Sequence, residues 1–192
     1  MKRILALGIG LMLVAGMTSV GLTADMEILG VTFPGEKVVA GKTLQLNGVS
    51  YRKALGFIKV FAQGLYLEKP THDAQEVINS EQIKNVVTHY LTSKATAEKI
   101  RDGVREAMED CNSSELVTAH KADIDLLLSY MDKDMAPGLT TESTYIPGQG
   151  LIYAYQGVEK GTFQDPEFIK MFYRMSFGEE APKRSREGLL GM

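Results

Sequence analysis

The chain has 192 residues, 44% of them apolar and 23% charged, with 21 basic against 24 acidic side chains and a formal net charge of −3. Cys111 is the one cysteine, so no internal disulfide can form and burial alone must hold the fold. No basic run is dense enough to follow a phosphate backbone, which excludes nucleic acid as an expected partner.

Met1 to Ala24 carries Lys2 and Arg3, then the apolar run Ile4 to Met17, then small and polar residues ending in Leu22-Thr23-Ala24. A basic start, an apolar stretch too short for a bilayer and a cut after Ala24 describe a secretory signal peptide. The alternative is an uncleaved N-terminal anchor. With no cysteine near the cut a lipoprotein is not expected. Cleavage would remove Lys2 and Arg3 and leave 19 basic against 24 acidic residues, a net charge of −5. The expected organisation is therefore residues 1–24 as signal peptide and 25–192 as one domain. It would be exported, most simply to the periplasm, with no membrane span left after cleavage.

Asp25 to Val39 holds short β-rich pieces broken by Pro34-Gly35, which predicts an edge hairpin. Leu44 to Glu68 follows as two β runs. In the first, Gln45, Asn47, Val49 and Tyr51 alternate with Leu44, Leu46, Gly48, Ser50 and Arg52, setting the two groups on opposite faces. Lys53 to Gly56 make the connection. In the second, Ile58, Val60, Ala62, Gly64 and Tyr66 form an apolar face expected to meet a helical layer. Phe57, Lys59, Phe61, Gln63, Leu65 and Leu67 form a mixed face suited to solvent or a cleft wall.

Beyond Pro70, Thr71 can cap a short helix over Asp73 to Ser80, and Asn85 to Ser93 reads as a strand with His89 on the face opposite Tyr90. Without a carboxylate or cysteine at motif spacing, His89 reads as a strand histidine with one satisfied hydrogen bond. Two amphipathic helices are predicted, Ala95 to Cys111 capped by Thr96, and Ser114 to Lys133 capped by Ser113 or Ser114, with His120 on the second apolar stripe. Cys111 reads as a buried structural thiol. Asp123, Asp125, Asp132 and Asp134 fit no metal-binding spacing and read as a solvated face. Thr140 to Phe163 then predicts an antiparallel meander. Asp165-Pro166-Glu167 starts a helix burying Phe168, Met171, Phe172 and Met175, and Pro182 opens a last basic turn ending in Leu189-Leu190. The order predicts an α+β fold, an antiparallel sheet covered on one face by helices.

The pattern L-x-G-V-x-x-R at Leu46 to Arg52, a hairpin turn, and F-x-K-V-x-x-x-G-L-Y-L-E at Phe57 to Glu68 resemble the opening hairpin of the chalcone isomerase-like family, in its short bacterial exported branch. The run Phe168 to Gly191 resembles that family's closing helix and terminal L-L-G. The resemblance implies an open-faced β-sandwich. In the family's isomerases it further implies an arginine on the first hairpin strand that stabilises an enolate while a phenolate attacks an enone. A guanidinium suits that task because its donors are permanently charged and can be aimed where negative charge develops. Arg52 falls on that position. Phe61 stands where the enzymes carry a hydroxyl residue, which removes a donor. The family's remaining site residues have no secure match, although Tyr90 or Tyr130 could stand in.

The fold also includes non-catalytic members that bind fatty acids, pairing the arginine with the carboxylate. Arg52, Phe57, Phe61, Leu65 and Tyr90 would line such a cleft, a charged fork backed by apolar walls. The leading expectation is a binder of a small amphipathic ligand, a fatty acid or a polyphenol-like molecule, with no cofactor and no metal. The alternatives are an isomerase acting on a chalcone-like enone, and an envelope protein working through protein partners. The bland reading of Arg52 is a hairpin-end arginine snorkelling to solvent beside Lys53 and Lys59.

Overall fold

The computed structural model describes residues 24–192, so the expected signal peptide lies, Ala24 apart, outside the described residues. The chain runs β1 (Met26–Ile28), β2 (Val31–Phe33), β3 (Glu36–Val39), β4 (Lys42–Ala54), β5 (Ile58–Leu67), α1 (Ala74–Asn79), β6 (Lys84–Tyr90), α2 (Ala97–Asp110), α3 (Ser114–Ala119) and α4 (Lys121–Ser129). It continues through β7 (Thr140–Ile146), β8 (Gly150–Tyr155), β9 (Val158–Phe163), α5 (Pro166–Phe177) and α6 (Lys183–Leu189). Strands β3 to β9 form one seven-stranded antiparallel sheet in chain order, and β1 pairs with β2 alone. This is the expected α+β architecture. Among the described residues no helix is long and apolar enough to cross a membrane.

Four tight turns share one chemistry. Leu29-Gly30, Ala40-Gly41, Leu55-Gly56 and Gln156-Gly157 all place both residues at positive φ, from 48° to 86°. Such pairs match the right-handed twist of the strands they join, and glycine takes the second position without a Cβ clash. The expected turn at Pro34-Gly35 is instead the passage from β2 to β3. Gly35 there donates to Asp25 Oδ1 at 2.8 Å and accepts from the Leu46 amide at 2.8 Å.

The sheet faces are the reverse of the expectation for β5. Leu65 and Leu67, with Val86, Tyr90, Tyr153 and Tyr155, join Met108, Leu127, Phe168, Met171 and Phe177 in the core under the helices. Ala62 and Tyr66 lie on the other face with Leu44, Leu46, Val49 and Phe33. The reason is volume. Ala62 and Gly64 leave a shallow hollow, and the Phe33 ring fills it so closely that a Cβ on Gly64 would stand 2.5 Å away. One aromatic lid fits there; a helix layer sits over the larger Phe61, Leu65 and Leu67. Gln63 tolerates the helix side because its Nε2 donates to Thr88 Oγ1 at 3.0 Å.

A bulge at Asn47 also breaks the alternation expected along β4. Leu46 pairs with Tyr66 and Gly48 with Leu65, so one extra residue sits between them. Leu44 and Leu46 thereby turn to the Phe33 side, while Gly48, Ser50 and Arg52 keep the helix side. Asn47 uses its freedom to tie three segments: its Nδ2 donates to the Leu189 carbonyl at 2.8 Å and its Oδ1 accepts from the Thr71 amide at 2.7 Å.

Capping follows the sequence with two changes. Thr96, Ser113 and Asp165 cap α2, α3 and α5, but α1 is capped by Asp73 rather than Thr71. The single helix expected over Ser114 to Lys133 is two, parted at His120 (φ −104°, ψ 21°). The His120 ring lies beside Phe168 at 6.4 Å between centroids, with Nδ1 3.7 Å from Asp123 and 3.8 Å from Asp165. The second helix stops at Ser129, freeing Asp134 to accept from the Ala97 amide at 2.8 Å, so this aspartate supports the start of α2 rather than lying idle on a solvated face. Cys111 is only half-buried, at the C-terminal cap of α2, where burial raises its thiol pKa.

Candidate functional site

Strand register sets three of the expected residues side by side. Arg52 pairs with Phe61, and Phe61 pairs with Tyr90, so the three cross β4, β5 and β6 in one row on the helix face. The Phe61 and Tyr90 rings meet edge to face at 6.0 Å between centroids. A second bulge, at Val60, directly follows the Arg52–Phe61 pair and breaks the alternation of the outer hairpin.

The Arg52 side chain is exposed at the rim of this row and reaches α2, where a Cβ added to Gly103 would lie 3.9 Å from its Nη1. Arg105 and Arg174 pair with Asp102 and Glu167; among the described residues Arg52 has no such partner. Beside it, burial drives the Tyr90 phenol well above its ordinary pKa, with the Arg52 charge opposing, so Tyr90 stays a neutral donor at any physiological pH. The facing side of α2 carries Ile100, Gly103, Val104 and Ala107, all half-buried rather than sealed. Helix α2 packs mainly on α4 and α5. The apolar seam here is the line of Phe61, Ile100 and Val104, each packed against the main core, with a guanidinium and a phenol beside it. Gly103 went unnoticed in the sequence, although a glycine inside a helix, costing about 1 kcal/mol against alanine, was the available signal.

The other expected lining residues lie elsewhere. Leu65 is fully buried in the filled core toward α6, and Phe57 is 75% exposed at the hairpin tip. Neither touches the seam as expected, because the turn carries Phe57 outward and Leu65 sits four positions deeper. Tyr130 stacks on Tyr153 at 6.4 Å with its hydroxyl over Gly161, and so belongs to the β8–β9 side. His89 makes an edge contact with the Phe33 ring at 5.4 Å, and burial lowers its pKa; a ring contact takes the place of the expected hydrogen bond. Two broader surface clefts, of about 390 and 330 Å³, lie away from Arg52, one lined by Lys84, Tyr145 and Ile169, the other by Cys111, Asn112 and Arg174.

Lys84 is a polar feature the sequence reading missed. It is 1% exposed, and its Nζ donates to the Val77 and Ser80 carbonyls at 2.9 and 3.0 Å between the rings of Tyr145 and Tyr173. Burial lowers its pKa to about 8. Its partners are carbonyls at the end of α1, so the ammonium ties that helix to β6.

An antiparallel sheet roofed on one face by helices, with an arginine on its long hairpin, defines an open-faced sandwich of the isomerase type. A sequence model described as chalcone isomerase-like matches residues 25–191, and the chain belongs to that family. Among solved structures it is similar to a fatty-acid binding protein of Arabidopsis thaliana, with 16% identity and a TM-score of 0.69 over 86% of this chain and 95% of that one. A search of the curated proteins finds no match.

Proposed function

We propose that this chain is a non-catalytic binder of a fatty acid or similar amphipathic carboxylate, working after export to the periplasm. The observation that carries this reading is the row Arg52, Phe61, Tyr90: an unpaired guanidinium and a neutral phenol beside an apolar seam. A carboxylate would take charge-assisted hydrogen bonds from Arg52 and one from Tyr90, while its chain lies against Phe61, Ile100 and Val104. The fatty-acid binding described for the Arabidopsis protein, which shares the fold, supports the same ligand class. The apolar run before Ala24 supports export.

Phe61 weighs against the isomerase reading, because it sets an apolar ring beside Arg52 where the family's enzymes carry a hydroxyl.

Titration of residues 25–192 with palmitate and oleate, followed by calorimetry, tests the proposal. Arg52→Ala is expected to weaken binding by about 10- to 100-fold, the worth of a charge-assisted hydrogen bond. Saturable binding that is indifferent to Arg52, or none at all, rejects it. Turnover of a chalcone that disappears in Arg52→Ala would establish the isomerase in its place.

A further inference from the structure

The tip of the β4–β5 hairpin exposes two large apolar side chains with no gain to the fold. Leu55 occupies the left-handed region at φ 51° and Gly56 follows at φ 77°. Leu29, Ala40 and Gln156 hold the same left-handed place in the other tight turns, where asparagine, aspartate or glycine would be less strained, so exposure of a large apolar side chain is what sets Leu55 apart. Leu55 is 80% exposed, and Phe57 beside it is 75% exposed. Both rank among the most exposed large apolar side chains of the described residues, and neither packs on a core. A solvent-facing leucine next to a solvent-facing phenylalanine adds nothing to the core and points to a surface used by something else.

The charges around the tip say what. Lys53 and Lys59 face each other across the hairpin and are exposed, with Arg52 one residue below. Lys53 lies over the Tyr51 ring at 5.4 Å, and Arg184 of α6 approaches the same ring at 5.5 Å while donating to the Tyr51 hydroxyl at 2.9 Å. Four cations thus gather behind two apolar side chains, on a chain whose net charge is −3. Among the described residues none of the four has a carboxylate partner, unlike Lys37, Lys121, Lys160 and Lys183.

We propose that this tip docks on an anionic phospholipid bilayer. Leu55 and Phe57 enter the interfacial region, and Lys53, Lys59 and Arg184 stay at the level of the headgroup phosphates. The apolar pair supplies burial, and the basic collar sets the preference for negative lipid. The surface stands independently of the ligand reading, although it would bring the Arg52 seam to the membrane.

The chain has no tryptophan, so Phe57→Trp supplies a single reporter. The test uses residues 25–192, which contain every residue of both cores and lack the apolar N-terminal run. Vesicles of phosphatidylcholine with 30% phosphatidylglycerol are expected to shift the indole emission to the blue and to sediment the protein; pure phosphatidylcholine vesicles are not. Lys53→Gln with Lys59→Gln should lower the partition coefficient by about 30-fold, from about fivefold per cation. Leu55→Ser with Phe57→Ser should lower it at least as far with the thermal midpoint unchanged, since neither side chain is packed. Equal binding to both vesicles, binding untouched by the two double substitutions, or a tip-dependent dimer in sedimentation velocity without lipid would each overturn the proposal.

Discussion

Arg52 and Tyr90 would hold a carboxylate in different ways, and the difference is measurable. The guanidinium is charged and sits at the rim, so its loss removes both Coulomb attraction and hydrogen bonds. Tyr90 is 7% exposed, and its phenol stays protonated through the physiological range, so it contributes one neutral hydrogen bond. Tyr90→Phe is therefore expected to weaken palmitate binding only about two- to tenfold, without altering its salt dependence. Arg52→Ala should weaken it further and flatten that dependence. Titrations at low and high salt separate the two, and palmitate binding undiminished in Tyr90→Phe would mean that Tyr90 acts by packing on Phe61 instead. The arginine was legible in the sequence because a motif brackets it. Its neighbour Tyr90 could be named but not placed, since only strand register brings residues 38 positions apart into one row.

At the scale of elements, periodicity and capping signals located the helical segments and the main strands, but merged α3 with α4, and periodicity failed where one residue changes the phase. Asn47 is such a residue, because a bulge leaves no mark in a run that still reads as alternating. The β5 faces were misjudged for a related reason. Lys59 and Gln63 made the true core face look wet, while Ala62 and Gly64 looked like core although they only make room for Phe33. The close seat of α6 was equally hidden. A Cβ on Gly48 would stand 2.3 Å from the Gly188 carbonyl oxygen and 2.7 Å from the Leu189 carbonyl oxygen, and these are backbone atoms that cannot swing away. Gly48→Ala must push α6 off the sheet. The expected cost is about 2–3 kcal/mol in urea unfolding, with tryptic cleavage after Lys183, Arg184 or Arg186 appearing under native conditions. Ser50→Ala, which removes only the 3.1 Å hydroxyl contact to Ser185, should cost about 1 kcal/mol and leave the helix resistant. A Gly48→Ala protein as stable and as resistant as its parent would show that α6 docks more loosely than this geometry requires.

Over the whole molecule, the buried ionisable groups fix how stability varies with pH on the alkaline side. Lys84 has its pKa lowered from 10.5 to about 8 by burial, so between those values the unfolded chain binds more protons than the folded one. Its contribution is complete above pH 10.5 and is lost as the pH falls through about 8. Tyr66, Tyr145 and Tyr155 have theirs raised from 10.0 to about 12, again chiefly by burial. The sign reverses for them: their contribution is complete below pH 10 and is lost as the pH rises through about 12. The two trends meet near pH 10, where the part of stability due to these four groups should peak. Lys84→Met removes the rising limb and keeps the falling one, even though it also strips two carbonyls of their partner and lowers stability throughout. Thermal midpoints taken from pH 7 to 11 should therefore draw together in parent and variant below pH 8 and diverge above it, the parent gaining most between pH 8 and 10. Parallel curves would mean that Lys84 stays charged in the fold, its two carbonyls and two rings outweighing the loss of water.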